Sequence, residues 1–326
     1  MRCISKKGSL LAGMLLTLSL VLSGCGDLKY DMVYQTDSSV SSFNVISRQN
    51  RRTATPFAAN LCIVTENVTP ETVNMEDAEA AVLFDVTGTG VLYAKNAYET
   101  LHPASLTKVM TALVALKYGK LDQTLTATSA VNITESGAQL CGLKAGDTMT
   151  LDQALRILLV YSANDVAMLI AEGVGGSVEQ FVQMMNDEAR SIGATNTNFA
   201  NPHGLTDANH YTTAYDLYLI FNQAIQYDTF NEIIQMNSYQ TTYYDKNGKA
   251  KEFNKQTTNL FIRGDYKTSS NVNVIGGKTG TTNAAGHCLM LLSRDANGSP
   301  YISVILRSSS TDGLYTEMVD LLDEIP

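Results

Sequence analysis

Ser105 and Lys108 are the residues of this 326-residue chain whose types and spacing first suggest chemistry. They open the apolar run Pro103-Ala104-Ser105-Leu106-Thr107-Lys108-Val109-Met110-Thr111-Ala112-Leu113-Val114-Ala115-Leu116, which contains no helix breaker after Pro103. Its apolar residues cover most of a helical circumference, so a buried helix is expected. A spacing of i, i+3 puts the serine hydroxyl and the lysine amine on one face. Burial disfavours an ammonium and lowers its pKa. A neutral amine beside a hydroxyl can take its proton and turn it into a nucleophile. Taken alone, the pair also fits a helix-start serine and a lysine snorkelling to water. Two further polar groups pose the same choice. Tyr161-Ser162-Ala163-Asn164 falls where one helix should stop and another start, which is also ordinary helix punctuation. Lys278-Thr279-Gly280-Thr281 lies at a strand among small residues, where an exposed turn lysine is equally at home.

The elements that must position these groups follow from pattern. Residues 26–56, rich in Ser, Thr, Asn and Gln, read as a flexible tether that stops at Pro56. Leu61-Cys62-Ile63-Val64 reads as a short β run and Ala78 to Asp85 as a buried strand. Thr87-Gly88-Thr89-Gly90 turns that strand into Val91 to Lys95. The helix carrying Ser105 starts at Pro103 and should leave through a left-handed Gly119. Residues 121–146 look irregular. Capping boxes at Thr150-Leu151-Asp152-Gln153 and Ser177-Val178-Glu179-Gln180 open helices, the first to about Val160 and the second to Gly193. Between them a helix runs from near Asp165 to the glycines at 173–176, and Thr213 opens another to about Ile225. β character then returns. Tyr239 to Tyr244 and Lys249 to Asn254 flank the hairpin signal Asp245-Lys246-Asn247-Gly248. Asn271 to Val274 lead into Gly276–Gly280, Cys288 to Ser293 pair with Tyr301 to Leu306, and Leu314 to Leu322 close as a helix. This order predicts an α/β fold: an antiparallel sheet flanked by helices, with an inserted helical subdomain.

The N-terminus reads as a signal. Arg2, Lys6 and Lys7 form a basic head before the apolar run Leu10 to Leu22, which is short for a membrane span. It ends in Leu22-Ser23-Gly24-Cys25, which resembles a bacterial lipoprotein cleavage site and makes Cys25 the expected lipidation residue. Removing residues 1–24 leaves 20 basic against 32 acidic residues, a net −12. That charge argues against nucleic acid as a partner and gives no electrostatic help in staying at an anionic membrane. Lipid on Cys25 would supply the anchoring, with the acidic Leu314–Leu322 helix packing on the domain instead of on lipid. Cys62, Cys141 and Cys288 show neither CxxC nor zinc-type spacing and are expected as small buried hydrophobes, with one disulfide among them left open.

Ser-x-x-Lys, Ser-x-Asn and Lys-Thr-Gly, in that order, form the motif set of penicillin-binding proteins and serine β-lactamases. The separations, 57 residues from Ser105 to Ser162 and 116 from Ser162 to Lys278, suit that superfamily. Ala104 to Leu113, Ser162-Ala163-Asn164-Asp165, Asn201-Pro202-His203-Gly204-Leu205 and His210 to Leu217 add to the likeness. From about Phe57 to the C-terminus the chain resembles the D-alanyl-D-alanine carboxypeptidases, the low-molecular-mass penicillin-binding proteins. It departs from class A β-lactamases, which usually have Asp where Ala163 stands, and it lacks a convincing equivalent of their deacylating glutamate. It departs from many carboxypeptidases in stopping without a β-rich domain or amphipathic C-terminal helix, and in having Thr281 where some carry His.

The resemblance implies acyl transfer without metal or cofactor. Lys108 would deprotonate Ser105, which attacks the carbonyl between two terminal D-alanines of a peptidoglycan stem peptide. Backbone N–H groups of Ser105 and Thr281 would hold the oxyanion, each such donor being worth about 10²–10³ in rate. Ser162 would relay a proton to the leaving amine and Asn164 would hold the substrate or Lys108. Lys278 and Thr279 would bind the terminal carboxylate, and Gly280 would let the substrate lie along the strand. β-Lactams would be covalent inhibitors, and the protein would work on the extracytoplasmic face of a bacterial membrane. His203 and His210 read as structural, because Lys108 fills the base position, and His102 and His287 match no catalytic position. An endopeptidase or β-lactamase on the same fold, or a lipoprotein that binds cell wall or β-lactams without turnover, stands as the alternative.

Overall fold

A computed structural model of the chain describes residues 59–268 and 271–326. The expected signal, the Cys25 lipidation site and the whole of the tether lie outside the described residues.

The first strands, β1 (Ala80–Asp85) and β2 (Gly90–Lys95), form an antiparallel hairpin. Ser105 follows in a short 3-10 turn, Ala104–Leu106, which runs straight into α1 (Thr107–Tyr118). Then come β3 (Thr124–Thr126) and β4 (Thr148–Thr150), α2 (Leu151–Arg156), a π-helical turn at Ile157–Tyr161, α3 (Asn164–Gly175) and α4 (Val178–Ser191). α5 (Ala214–Ala224) and α6 (Asp228–Ile234) complete the helical middle of the chain. The hairpin β5 (Ser238–Tyr244) and β6 (Ala250–Gln256) follows, with the single turn α7 (Leu260–Arg263) after it. β7 (Asn273–Thr282), β8 (Gly286–Arg294), β9 (Pro300–Ser308) and α8 (Thr311–Leu322) end the chain.

The main sheet has the order β2-β1-β9-β8-β7, antiparallel throughout, so the first hairpin docks on the last three strands. Period-2 alternation in β1 explains why the sheet is covered on both faces. Ala81 and Leu83 join Leu289, Leu291 and Ile305 under Leu314, Met318, Leu321 and Leu322 of α8. Ala80, Val82 and Phe84 join Met290, Ile302 and Val304 on the opposite face, in the core shared with α1 and α5. Each fully buried Leu or Met contributes about 1.5–3 kcal/mol, so the four α8 residues suffice to hold that helix on the sheet. The acidic helix thus packs on the domain as expected. Glu317 is not on a solvent face, however: it is buried, and one carboxylate oxygen accepts from the N–H groups of Asp77 and Ala78.

Several sequence expectations change in the structure. β3 and β4 emerge from the stretch read as irregular and its end, and they join β5 and β6 in a second four-stranded sheet, β3-β4-β5-β6. Leu61–Val64 is not a strand. Side chains of α5 satisfy its backbone instead, with the Cys62 N–H donating to Tyr218 Oη and Tyr215 Oη donating to the Cys62 carbonyl. Gly119 is extended, at φ −92° and ψ 172°, and not left-handed; it is needed for space instead, since a Cβ there would meet Leu151 Cδ2 at 2.4 Å. The Thr150–Gln153 capping box forms reciprocally, but its α-helix ends at Arg156 and gives way to the π turn. Cys62, Cys141 and Cys288 are all free thiols; the first two of Cys62, Cys288 and Cys141 are buried and Cys141 is half-buried.

Candidate active site

The site lies where the 3-10 turn meets the edge strand β7. Gly280 allows the meeting: a Cβ there would come within 2.9 Å of the Ser105 nitrogen and 3.1 Å of the Pro103 carbonyl. Ser105 and Lys108 sit one turn apart, and Lys108 is fully buried with its Nζ 2.8 Å from Ser105 Oγ. Its other neighbours are Asn164 Oδ1 at 2.7 Å and the His203 carbonyl at 2.6 Å. Both are carbonyl oxygens, which accept and never donate. A neutral amine has two N–H groups for those two oxygens, and its lone pair then faces the Ser105 hydroxyl. Burial, and next the neighbouring Lys278, hold the Lys108 pKa well below the usual lysine range, against a smaller opposing pull from Asp165. That is the protonation state in which a lysine can act as a base at neutral pH.

Ser162 is presented by an unusual backbone. It ends the π-helical turn in the left-handed region, at φ 68°. Such turns and strained residues are frequent at functional sites, because a regular helix would aim the side chain elsewhere. Its Oγ accepts from Lys278 Nζ at 2.9 Å, and that amine also donates to the Thr279 carbonyl at 2.7 Å. Lys278 is 1% exposed, and burial brings its pKa down to about 7. The Thr279 hydroxyl bonds the Thr258 hydroxyl, and Thr281 lines the same cleft as Ser105, Ser162 and Asn164. Ser105, Ser162, Asn164, Thr279, Gly280 and Thr281, from three separated segments, therefore line one cleft, and Lys108 and Lys278 lie buried behind it, bonded to Ser105 and Ser162.

A model of the D-alanyl-D-alanine carboxypeptidase family matches residues 66–310. The chain belongs to that family. It is 32% identical over 252 residues to D-alanyl-D-alanine carboxypeptidase DacF of Bacillus subtilis, an alignment covering 76% of this chain and 61% of the relative. It is 34% identical over 255 residues to DacC of Escherichia coli, covering 76% and 60%. The chain thus spans about three-fifths of the length of these relatives. The crystal structure of the Streptomyces K15 DD-transpeptidase superposes with a TM-score of 0.71 at 26% identity, over 79% of this chain and 98% of that one. The fold is accordingly of the penicillin-binding-protein type, with the helix-flanked antiparallel sheet expected from the motif order.

Within this carboxypeptidase-family framework, four further residues support the site. The His203 carbonyl holds Lys108, while its imidazole Nδ1 accepts from the Leu205 N–H and stays neutral, its pKa pushed down to about 3 by burial and by Lys108. Gln139, in the stretch read as irregular, accepts from the Asn164 N–H through its carbonyl, and its side chain bonds the Tyr161 carbonyl. Asp165 is buried, and its carboxylate accepts from the N–H groups of Cys141, Gly142 and Leu143 at 2.8–2.9 Å. Thr258 reaches the site from beyond β6 to meet Thr279. Asp165 and His203 stand in stretches that carry the family likeness, and His203 proves structural as expected, whereas Gln139 and Thr258 carried no signal. His287 also lines the cleft, although it matches no catalytic position.

Proposed function

We propose that the protein is a serine-type D-alanyl-D-alanine carboxypeptidase that removes the terminal D-alanine from peptidoglycan pentapeptide stems through a Ser105 acyl-enzyme. The observation that carries this reading is the setting of Lys108: its buried Nζ lies 2.8 Å from Ser105 Oγ and is held there by the Asn164 Oδ1 and His203 carbonyl oxygens, with burial lowering its pKa. Ser105 Oγ attacks the carbonyl carbon of the penultimate D-alanine while its proton passes to Lys108 Nζ. The oxyanion is held by the N–H groups of Ser105 and Thr281, at the start of a helix whose dipole favours negative charge. Collapse breaks the C–N bond, and Ser162 passes a proton to the departing amine of D-alanine. Water then cleaves the ester and regenerates the hydroxyl. Lys278, 2.9 Å from Ser162 Oγ, and Thr279 hold the terminal carboxylate, and Asn164 orients Lys108. The free edge of β7 offers the substrate backbone an added-strand position.

Penicillin would acylate the same serine. The enzyme would work on the extracytoplasmic face of the membrane, held by lipid at Cys25; among the described residues no helix is long and apolar enough to cross a membrane. Incubation with a stem pentapeptide and measurement of released D-alanine tests the activity. Release of D-alanine supports it. Cleavage of cross-linked dimers alone would make the protein an endopeptidase, rapid turnover of penicillin a β-lactamase, and stable binding without any product a non-catalytic receptor. A penicillin label that maps away from Ser105, or persists in Ser105→Ala, would remove the nucleophile assignment.

A further inference from the structure

The residue before the nucleophile is strained. Ala104 has φ +47°, in the left-handed region that an L-residue enters only when its surroundings hold it there, and it is 1% exposed. What holds it is a short chain of hydrogen bonds. The Ala104 carbonyl accepts from the Thr107 hydroxyl at 2.8 Å and from the Thr107 backbone N–H. Thr107 Oγ1 in turn lies 2.8 Å from His210 Nε2, and His210 is 1% exposed. The turn carrying Lys108's carbonyl partner presses on the same spot: a Cβ at Gly204, itself at φ +88°, would lie 1.8 Å from the Ala104 oxygen and 2.9 Å from Thr107 Oγ1.

The direction of every proton in this chain follows from which atoms can donate. The Ala104 oxygen only accepts, so the single Thr107 hydroxyl proton goes there. Thr107 Oγ1 must then accept from His210, which places a proton on Nε2. Independently, Nδ1 of the same ring accepts from the Ala200 N–H at 3.1 Å, which requires Nδ1 to be bare. Two separate contacts thus select one neutral tautomer. The ring is fixed further by an edge contact with Phe199, centroids 5.7 Å apart, and by the His210 carbonyl, which lies 2.8 Å from His102 Nδ1.

We propose that His210 is a positioning residue for the nucleophile: through Thr107 it locks the Ala104 carbonyl, and so fixes the strained backbone that aims Ser105 at the substrate and at Lys108. The proposal rests on Ser105 being the acylated residue. His210 lies too far along this chain to exchange a proton with the reacting atoms, since Thr107 and Ala104 stand between, so it acts only through geometry. A helical Ala104 would swing the N–H and hydroxyl of Ser105 together, because both follow the same peptide plane. Displacements of about 1 Å at a reacting centre cost up to about 100-fold in rate.

The test separates aiming from mere packing. The full chain is mixed with a fluorescent penicillin at a range of concentrations, giving the acylation rate constant at saturation and the initial binding constant as two numbers. Thr107→Val keeps the shape but removes the hydroxyl, and His210→Leu removes the donor. Each should slow saturated acylation by roughly 10- to 100-fold, with initial binding changed less than about 3-fold. Thr107→Ser and His210→Gln, which keep a hydroxyl and an amide N–H in place, should recover most of that loss. The double variant Thr107→Val/His210→Leu should be no slower than the slower single one, because both break one chain. Partial unfolding changes the labelled amplitude and leaves the rate constant intact, so stability effects read separately. A saturated rate within about 3-fold of wild type in Thr107→Val, or single effects that multiply in the double variant, overturns the proposal. If the unaltered protein takes no label at Ser105, the nucleophile assignment itself fails, which is a different result.

Discussion

Replacing Lys278 by methionine should make the protein more stable and worse at binding its substrate. In the free protein the amine is 1% exposed and donates to Ser162 Oγ and to the Thr279 carbonyl. Burial moves its pKa from 10.5 to about 7. At about 1.4 kcal/mol per pH unit, that shift represents roughly 5 kcal/mol of lost stability at a pH where both folded and unfolded chains hold the proton. The sign follows from counting protons. Between pH 7 and pH 10.5 the unfolded chain holds this proton and the folded chain has released it, so stability rises with pH across the window. The penalty is then roughly 4 kcal/mol at pH 7 and roughly 2 kcal/mol at pH 9. Two hydrogen bonds offset about 1–3 kcal/mol of it. Lys278→Met should therefore gain roughly 1–3 kcal/mol at pH 7, and the gain should shrink by roughly 2 kcal/mol at pH 9. Urea unfolding of both proteins at pH 7, 8 and 9 measures the two curves. A variant less stable than wild type at pH 7, or a gap that does not change with pH, refutes the reasoning. The same variant should raise KM for a substrate with a free carboxylate by roughly 10- to 150-fold, the equivalent of one charge-assisted hydrogen bond. Stability would have been exchanged for recognition.

Other outcomes follow from the same geometry. Lys108→Ala should nearly abolish acylation even at saturating penicillin, and in the unaltered protein the saturated rate should fall as acid protonates the amine, since its lone pair faces Ser105 only when neutral; a rate independent of pH down to strongly acid conditions would argue for another base. Lys278→Arg should keep more carboxypeptidase activity than Lys278→Ala, because it keeps the charge, and equal losses would point to a steric role instead. Asp165→Ala strands three N–H groups of the 141–143 loop and should lower stability by about 3 kcal/mol, read as a fall in Tm; a change under about 0.5 kcal/mol would mean the loop holds itself. Cys25→Ser should block lipidation, and a chain beginning at Asp27 should be soluble without detergent and still react with penicillin. Membrane partitioning of that shortened chain would reveal a second anchor.

The three motifs that the structure brings together were legible in the sequence because each is local. Ser105 and Lys108 lie within one turn of chain, Ser162 and Asn164 flank a single residue, and Lys278 to Thr281 are contiguous, so residue type and spacing expose each group directly. Most helices and the strands of the main sheet were legible for the same reason: capping residues at Thr150, Ser177 and Thr213 and the continuous apolar runs of β1, β8 and β9 are short-range signals. What depended on distant contacts was not. Thr124–Thr126 and Thr148–Thr150 are too short and polar to announce strands, and they exist as such by pairing with each other and with Tyr244 of the later hairpin. The π turn before Ser162, the left-handed Ala104 and the His203 carbonyl on Lys108 leave no trace in composition, since backbone atoms are the same in every residue. The lowered pKa of Lys108 was expected from its apolar helix, but the small residues around Lys278 did not announce its burial. Lys108 and Lys278 are 170 residues apart in the chain. Only when the sheet edge closes on the helix start do both amines lose their water, and that desolvation is the main cause of the lowered pKa of each.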